Sequence, residues 1–198
     1  GTILGLNPWE TPYQLWRRKM GIDPAKEENF AMRAGHYLED AVARFYQDAT
    51  NKEIIKASAG DWLIVNNERE YLRVSPDRTF WLPNMPKNEH NKGILECKTT
   101  QMPVDKDNVP MHWYCQLQYQ LGVAELEQGA LAWLIAGRDF DFRDFAFDKE
   151  SAKLVNKLNG KKHLILGNHD TWVKNLTDEE KEILLAGCLM NHYKIKNS

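Results

Sequence analysis

Several things are scarce in this chain, and each scarcity removes a class of protein. Its 198 residues include three cysteines, Cys97, Cys115 and Cys188, with no CxxC spacing. An odd set so placed builds neither a zinc ribbon nor a disulfide scaffold, and reads as three reduced thiols. No run of about 18 apolar residues occurs, so no membrane-spanning helix is expected. No basic segment leads into an apolar one, so no signal peptide is visible, and Gly1 in place of Met reads as a processed or engineered start. Neither sign of charge dominates: 26 Lys and Arg stand against 28 Asp and Glu, a formal net charge of −2. That excludes a polybasic nucleic-acid coat but not a local basic groove. Repeats and low-complexity stretches are absent. What is present is core-forming material. Hydrophobic residues make up 42% and aromatics 11%, which excludes global disorder.

The pattern of that material predicts the elements. Thr11 is a candidate N-cap and Pro12 sits at the first helical position, so a helix follows over 13–20 and stops at Gly21. A second helix is predicted over 27–49. Its apolar residues Phe30, Ala34, Tyr37, Leu38, Ala41, Val42 and Phe45 recur at spacings of three and four. Then the period changes. Short strands are expected at 62–65, 71–74, 79–82 and 93–98, with a turn at Asn66-Asn67-Glu68 and a loop over 84–92. A polar linker, 103–110, leads to a helix over 112–124. A final hairpin, 130–135 and 139–147, turns at Gly137-Arg138. Helices, strands, a helix and more strands in that order predict an α/β domain with a central mixed sheet flanked by helices.

One constellation carries chemistry. Ser75-Pro76-Asp77 is followed by Glu96-Cys97-Lys98. On a strand, Glu96 and Lys98 share a face, and an antiparallel neighbour can bring Asp77 beside Glu96. Two carboxylates on one sheet face repel, and each is expensive to bury. A divalent cation resolves that cost. Mg²⁺ takes oxygen ligands, one or two carboxylates, waters and substrate phosphate. A lysine beside it orients or activates water, or stabilises charge on phosphate. The same spacing also fits an ordinary solvated strand face.

The flanks resemble a family. Asp77…Glu96-Cys97-Lys98 is similar to the restriction-endonuclease-like PD-(D/E)XK core. The stretch from Gly5-Leu6-Asn7-Pro8-Trp9-Glu10 to Lys19-Met20-Gly21, Met32-Arg33-Ala34-Gly35-His36-Tyr37-Leu38-Glu39, and Tyr114-Cys115-Gln116-Leu117-Gln118-Tyr119-Gln120 occur in the order of the YqaJ-type viral recombinase family. That group contains the phage lambda exonuclease. The resemblance covers about residues 3–150. It implies that Asp77, Glu96 and the Cys97 main-chain carbonyl bind one or two Mg²⁺ ions, with Mn²⁺ as a substitute. Lys98 would position or activate the water. Glu39 would act through a second metal or a metal-bound water. Gln116 would stand at the edge, with Gln120 one turn on. Arg17, Arg18, Lys19 and Arg33 would meet phosphates, and Trp9, Tyr13 and Trp16 would stack or wedge at a duplex end, though helix packing explains them equally well. The implied activity is a 5′-to-3′ exonuclease on double-stranded DNA ends that leaves 3′ overhangs. The implied partners are a single-strand annealing protein and further copies in a ring-like trimer, with no membrane. The implied location is the cytoplasm of a bacterial host, with a phage or prophage origin. Family members usually carry a preceding stretch with a basic residue for the 5′ end.

Residues 151–198 are expected to be an appendage to the 1–150 nuclease domain. Within it, 159–170 resembles the Gly-Asn-His-Asp segment of calcineurin-like metallophosphoesterases at Gly167-Asn168-His169-Asp170. That family's other metal-binding motifs are missing, and one Asn-His pair cannot hold two metals. Two rival functions remain open: a non-catalytic DNA-binding or assembly protein on a nuclease scaffold, and a phosphoesterase acting through the tail.

Overall fold

The computed structural model describes residues 2, 5–25, 27–55, 63–70 and 72–149. The tail segment at 159–170 lies outside them, as do Trp62, Tyr71 and Cys188. The elements run α1 Pro12–Lys19, α2 Phe30–Thr50, β1 Ile54–Ile55, β2 Ile64–Val65, β3 Arg73–Val74, β4 Arg78–Trp81, β5 Lys92–Thr100, α3 Met111–Ala124, β6 Gln128–Ile135 and β7 Asp139–Ala146. None of the described helices is long and apolar enough to cross a membrane.

The expected Thr11 cap forms. Thr11 and Gln14 make a reciprocal capping box at the start of α1. Asn29 caps α2 through Met32 N–H, so that helix begins three residues later than its pattern predicts. A two-residue strand, β1, was not expected. It pairs antiparallel with β4 and puts Ile54 opposite Phe80.

Five strands form a mixed sheet in the order β1-β4-β5-β6-β7. The β5–β6 pair is parallel and the others are antiparallel. A parallel neighbour demands a crossover, and α3 is that crossover. β5 is therefore central and covered on both faces, which its buried run from Gly93 to Cys97 reflects. On one face Leu95, Cys97, Ala130 and Ala132 meet Val42, Ala43 and Tyr46 of α2. On the other, Ile94, Leu131 and Trp133 meet Trp113, Leu117 and Leu121 of α3. Gly129 lets α3 close on the sheet. A Cβ there would stand 2.8 Å from Leu117 Cδ1 and 3.1 Å from the Ile94 carbonyl.

The α2 stripe needs correction. Only Val42, Ala43 and Tyr46 are buried, whereas Phe30 is 79% and Tyr37 81% exposed. The reason is position: the C-terminal half of α2 lies on the sheet, and residues of its N-terminal half line a cleft. A polar knot ties the sheet end of α2 to β7. Asp144 accepts from Tyr46 Oη at 2.7 Å and from Lys52 Nζ at 2.7 Å. The small β2–β3 sheet docks through buried Asn66, which donates to the Val123 carbonyl at the end of α3.

The β6–β7 turn holds two successive left-handed residues, Ala136 (φ 47°) and Gly137 (φ 70°), closed by Arg138 N–H to the Ile135 carbonyl at 2.9 Å. This is the backbone of a type I′ turn, where Asn-Gly is preferred. Ala136 is exposed; its N–H donates to the Thr100 carbonyl at 2.7 Å, but its methyl side chain offers no bond to offset the left-handed strain. Ala136→Asn is expected to stabilise the protein by about 0.5–1 kcal/mol. Thermal melting checks this, and a lower midpoint would count against the turn geometry.

Candidate active site

Asp77 stands immediately before β4, and the β4–β5 ladder carries it alongside β5. Its Oδ2 accepts the Cys97 N–H at 2.7 Å. The carboxylate therefore takes up a β5 amide just beyond the last β4 pairing, Arg78 with Leu95. Glu96 and Lys98 point together toward α3, while Cys97 points toward α2. Glu96 is only 1% exposed, yet both its oxygens are satisfied. Oε1 accepts from Lys98 Nζ at 2.6 Å and from Gln116 Nε2. Oε2 accepts from Gln120 Nε2 at 2.8 Å. Gln116 Oε1 in turn accepts from Lys98 Nζ at 3.0 Å. Such full pairing is what allows a carboxylate to be buried.

Glu39 comes from α2. His36, one turn earlier, places Nδ1 3.0 Å from Glu39 Oε1, and Glu28 lies 3.7 Å from the other ring nitrogen. Arg78 joins the two halves of the site. It donates to the Asp77 carbonyl through Nη1 and to Asp40 Oδ1 at 2.6 Å through Nη2. The sequence reading passed over Arg78 and His36. Their signal was proximity: one neighbours Asp77, and the other stands a helical turn before Glu39.

These groups border a cleft of about 1040 Å³, lined by Glu39, Cys97, Lys98 and Gln116 together with Trp9, Phe30 and His112. Asp77 and Glu96 are not on that lining. The proposed DNA contacts divide. Trp9 lines the cleft. Tyr13 and Trp16 stack on each other at 5.8 Å within α1. Arg17 is held by Asp23 at 2.7 and 2.8 Å, and Arg18 by Glu10 at 3.0 and 3.2 Å. A phosphate must compete with those carboxylates. Arg33 is exposed on α2, and Lys19 is half-buried at the end of α1.

The electrostatics explain what the site lacks. Burial, then the charge of Glu96, pushes the Asp77 carboxyl well above the usual carboxylate range, and Glu39 adds to this. Lys98 and the Cys97 N–H only partly offset it. Burial pulls the Lys98 ammonium down, but Glu96 and Asp77 outweigh it, so its pKa ends above the ordinary lysine value. Lys98 is thus a proton-bearing donor. Among the described residues, Lys98 and Arg78 are the cations set against Asp77, Glu96, Glu39 and Asp40, which leaves the cluster short of positive charge. Among the described residues no group of three or more His, Cys, Asp or Glu converges as a metal cage. Two carboxylates and a main-chain carbonyl are a donor set that suits a hard divalent cation with several waters, and not zinc.

The Asp77 shift has a testable sign. A carboxyl whose pKa is higher in the folded state adds stability below its unfolded pKa, and that stability is lost as pH rises through the folded value. Metal-free wild type should therefore lose stability relative to Asp77→Asn as pH is raised from about 4 toward 8. Urea denaturation across that range checks it, and a pH-independent difference between the two proteins would contradict it.

A mixed five-stranded sheet with helices on both faces, Asp before one strand and Glu-x-Lys on the next, defines the PD-(D/E)XK-like class. Residues 1–127 match the model of the YqaJ-like viral recombinase domain. The chain belongs to that family. It is 30% identical over 162 residues to YqaJ of Bacillus subtilis (strain 168), covering 78% of this chain and 47% of that one. The chain thus spans about half the length of that relative. Among solved structures it is similar to LHK-Exo, an alkaline exonuclease from Laribacter hongkongensis, at a TM-score of 0.52 and 14% identity, covering 98% of this chain and 89% of that one. The same enzyme in complex with dAMP gives 0.51 and 12%, covering 99% and 89%. A phage-related exonuclease from Haemophilus somnus 129PT gives 0.53 and 12%, covering 74% of each chain. At these identities the likeness establishes the fold.

Proposed function

We propose that this chain is a Mg²⁺-dependent deoxyribonuclease that degrades one strand of a DNA duplex from its 5′ end. The observation that carries the reading is buried Glu96, paired with Lys98 and Gln116 on the wall of an open cleft, with Asp77 on the adjoining amide. A purely structural sheet has no use for so costly a cluster. The dAMP complex of LHK-Exo supports a deoxynucleotide product.

Asp77, Glu96 and the Cys97 carbonyl would hold Mg²⁺, and Glu39 would hold a second ion or a metal-bound water. When bound by these residues, Mg²⁺ would supply Lewis-acid polarisation and a water of lowered pKa. Lys98, held by Glu96 and Gln116, would position the attacking water or stabilise the charge that develops on the phosphate oxygens. Gln116 fixes the lysine, and Gln120 fixes the carboxylate. By family resemblance the 3′ overhang would pass to a single-strand annealing protein, and copies of the chain would form a ring around DNA.

Linear duplex with 5′-phosphorylated ends, incubated with Mg²⁺, is the direct test. Release of mononucleotides and a growing 3′ single strand are expected. An intact duplex that the protein still binds would leave a scaffold without catalysis.

A further inference from the structure

Helix α3 turns one face toward the charge cluster, and the spacing along that face is regular. Gln116 holds Glu96 and Lys98, and Gln120, one turn on, holds Glu96. One turn before Gln116, on the same face, stands His112. Sequence reading missed it, although the spacing of four was visible.

His112 lines the cleft beside Lys98 and Gln116. Two aromatic edges orient its ring: Trp9 at 5.9 Å and Trp113 at 6.0 Å. Within that clamp Nε2 is shielded from water and has no hydrogen-bond partner among the described residues. A buried ring nitrogen without a partner costs free energy that an apolar residue of similar size would not. Packing therefore does not account for an imidazole here. Trp9, which laps over the ring, is itself 72% exposed.

The surroundings favour an anion. Lys98 is close enough that its charge, after burial, disfavours the protonated ring. The imidazole is therefore neutral and has one N–H to give.

We propose that His112 is a substrate-contacting residue whose Nε2–H donates to a backbone phosphate of the DNA strand lying in the cleft beside Lys98, once that strand displaces the Trp9 indole that packs on the ring. This contact rests on the nuclease reading above and adds a binding group outside the Asp77–Glu96–Lys98 cluster. It also assigns Trp9 a part, as the exposed indole that gives way to DNA.

The test compares wild type, His112→Ala and His112→Gln, since the glutamine Nε2 reaches where the imidazole Nε2 lies. Steady-state cleavage of 5′-phosphorylated duplex with Mg²⁺ gives KM and kcat. Fluorescence anisotropy of labelled duplex in EDTA gives affinity without turnover. The alanine variant should raise KM and weaken binding about tenfold, the worth of one hydrogen bond to a charged group, with kcat within about threefold. The glutamine variant should recover most of both. Affinity and KM within twofold of wild type for His112→Ala overturn the proposal. Equal losses in both variants together with a lowered melting temperature assign the ring to packing and also overturn it. If wild type binds but does not cut, and His112→Ala still weakens binding, the contact stands and the nuclease reading falls. A wild type that neither binds nor cuts removes both.

Discussion

Glu96→Gln is expected to stop the proposed strand cleavage while the protein stays folded. The rate is expected to fall at least about 10³-fold, equal to about 4 kcal/mol of transition-state stabilisation. The change is nearly isosteric and removes one negative charge from a side chain that is 1% exposed. Lys98 and Gln116 can still donate to the amide oxygen. The new amide N–H₂ meets Gln120, whose Oε1 is buried and without a partner among the described residues, so a flip of the Gln120 amide accepts it. Asp77 loses the charge that helps hold its carboxyl above the usual range. The melting temperature should therefore hold or rise as activity disappears. Parallel melting curves and cleavage rates over a Mg²⁺ titration decide the matter. More than a tenth of wild-type activity at saturating metal would sink the role given to Glu96.

Lys98→Ala produces the opposite pattern in stability. It removes the ammonium 2.6 Å from Glu96 Oε1 and leaves a buried carboxylate with another beside it. Stripping one partner from a buried pair costs about 3–5 kcal/mol. In a protein of this size that is roughly 10 °C in melting temperature. The double variant Glu96→Gln/Lys98→Ala should recover most of the loss, because the unpaired charge is gone. Chemical denaturation of the two single variants and the double variant closes the cycle. If Lys98→Ala costs less than 1 kcal/mol, Glu96 does not depend on its lysine, and the picture of a charge-starved cluster is wrong.

How far the sequence could be read depended on what each residue had to do. Glu96 and Lys98 were legible because a strand's period of two puts them on one face. Asp77 was legible because an antiparallel neighbour brings it back beside them. Glu39 was legible only through the family motif, since nothing in its helix says which way that helix faces. For the same reason the α2 stripe was misread. Phe30 and Tyr37 fit helical spacing, yet their half of the helix borders a cleft, so periodicity did not correspond to burial. β1 was missed because two residues, Ile54 and Ile55, have no period. Its existence depends on Phe80 and Thr79 across the ladder. The Thr11 cap and the β6–β7 hairpin were legible because local backbone chemistry determines them, although the turn residues are Ala136 and Gly137, one position earlier than expected. The pairing of Arg17 with Asp23 and of Arg18 with Glu10 was not, because ion pairs across a bend depend on how the chain folds back.

The parallel step in the sheet also determines when the cluster can exist. A chain emerging from the ribosome presents β5 well before Gln116 and Gln120, but those glutamines have no fixed place until α3 docks. Docking rests on Leu117 and Leu121 against Leu131 and Trp133, and the last two belong to β6. A chain that ends between α3 and β6 therefore contains Glu39, Asp77, Glu96 and Lys98 but lacks Leu131 and Trp133, the residues against which α3 seats its two glutamines.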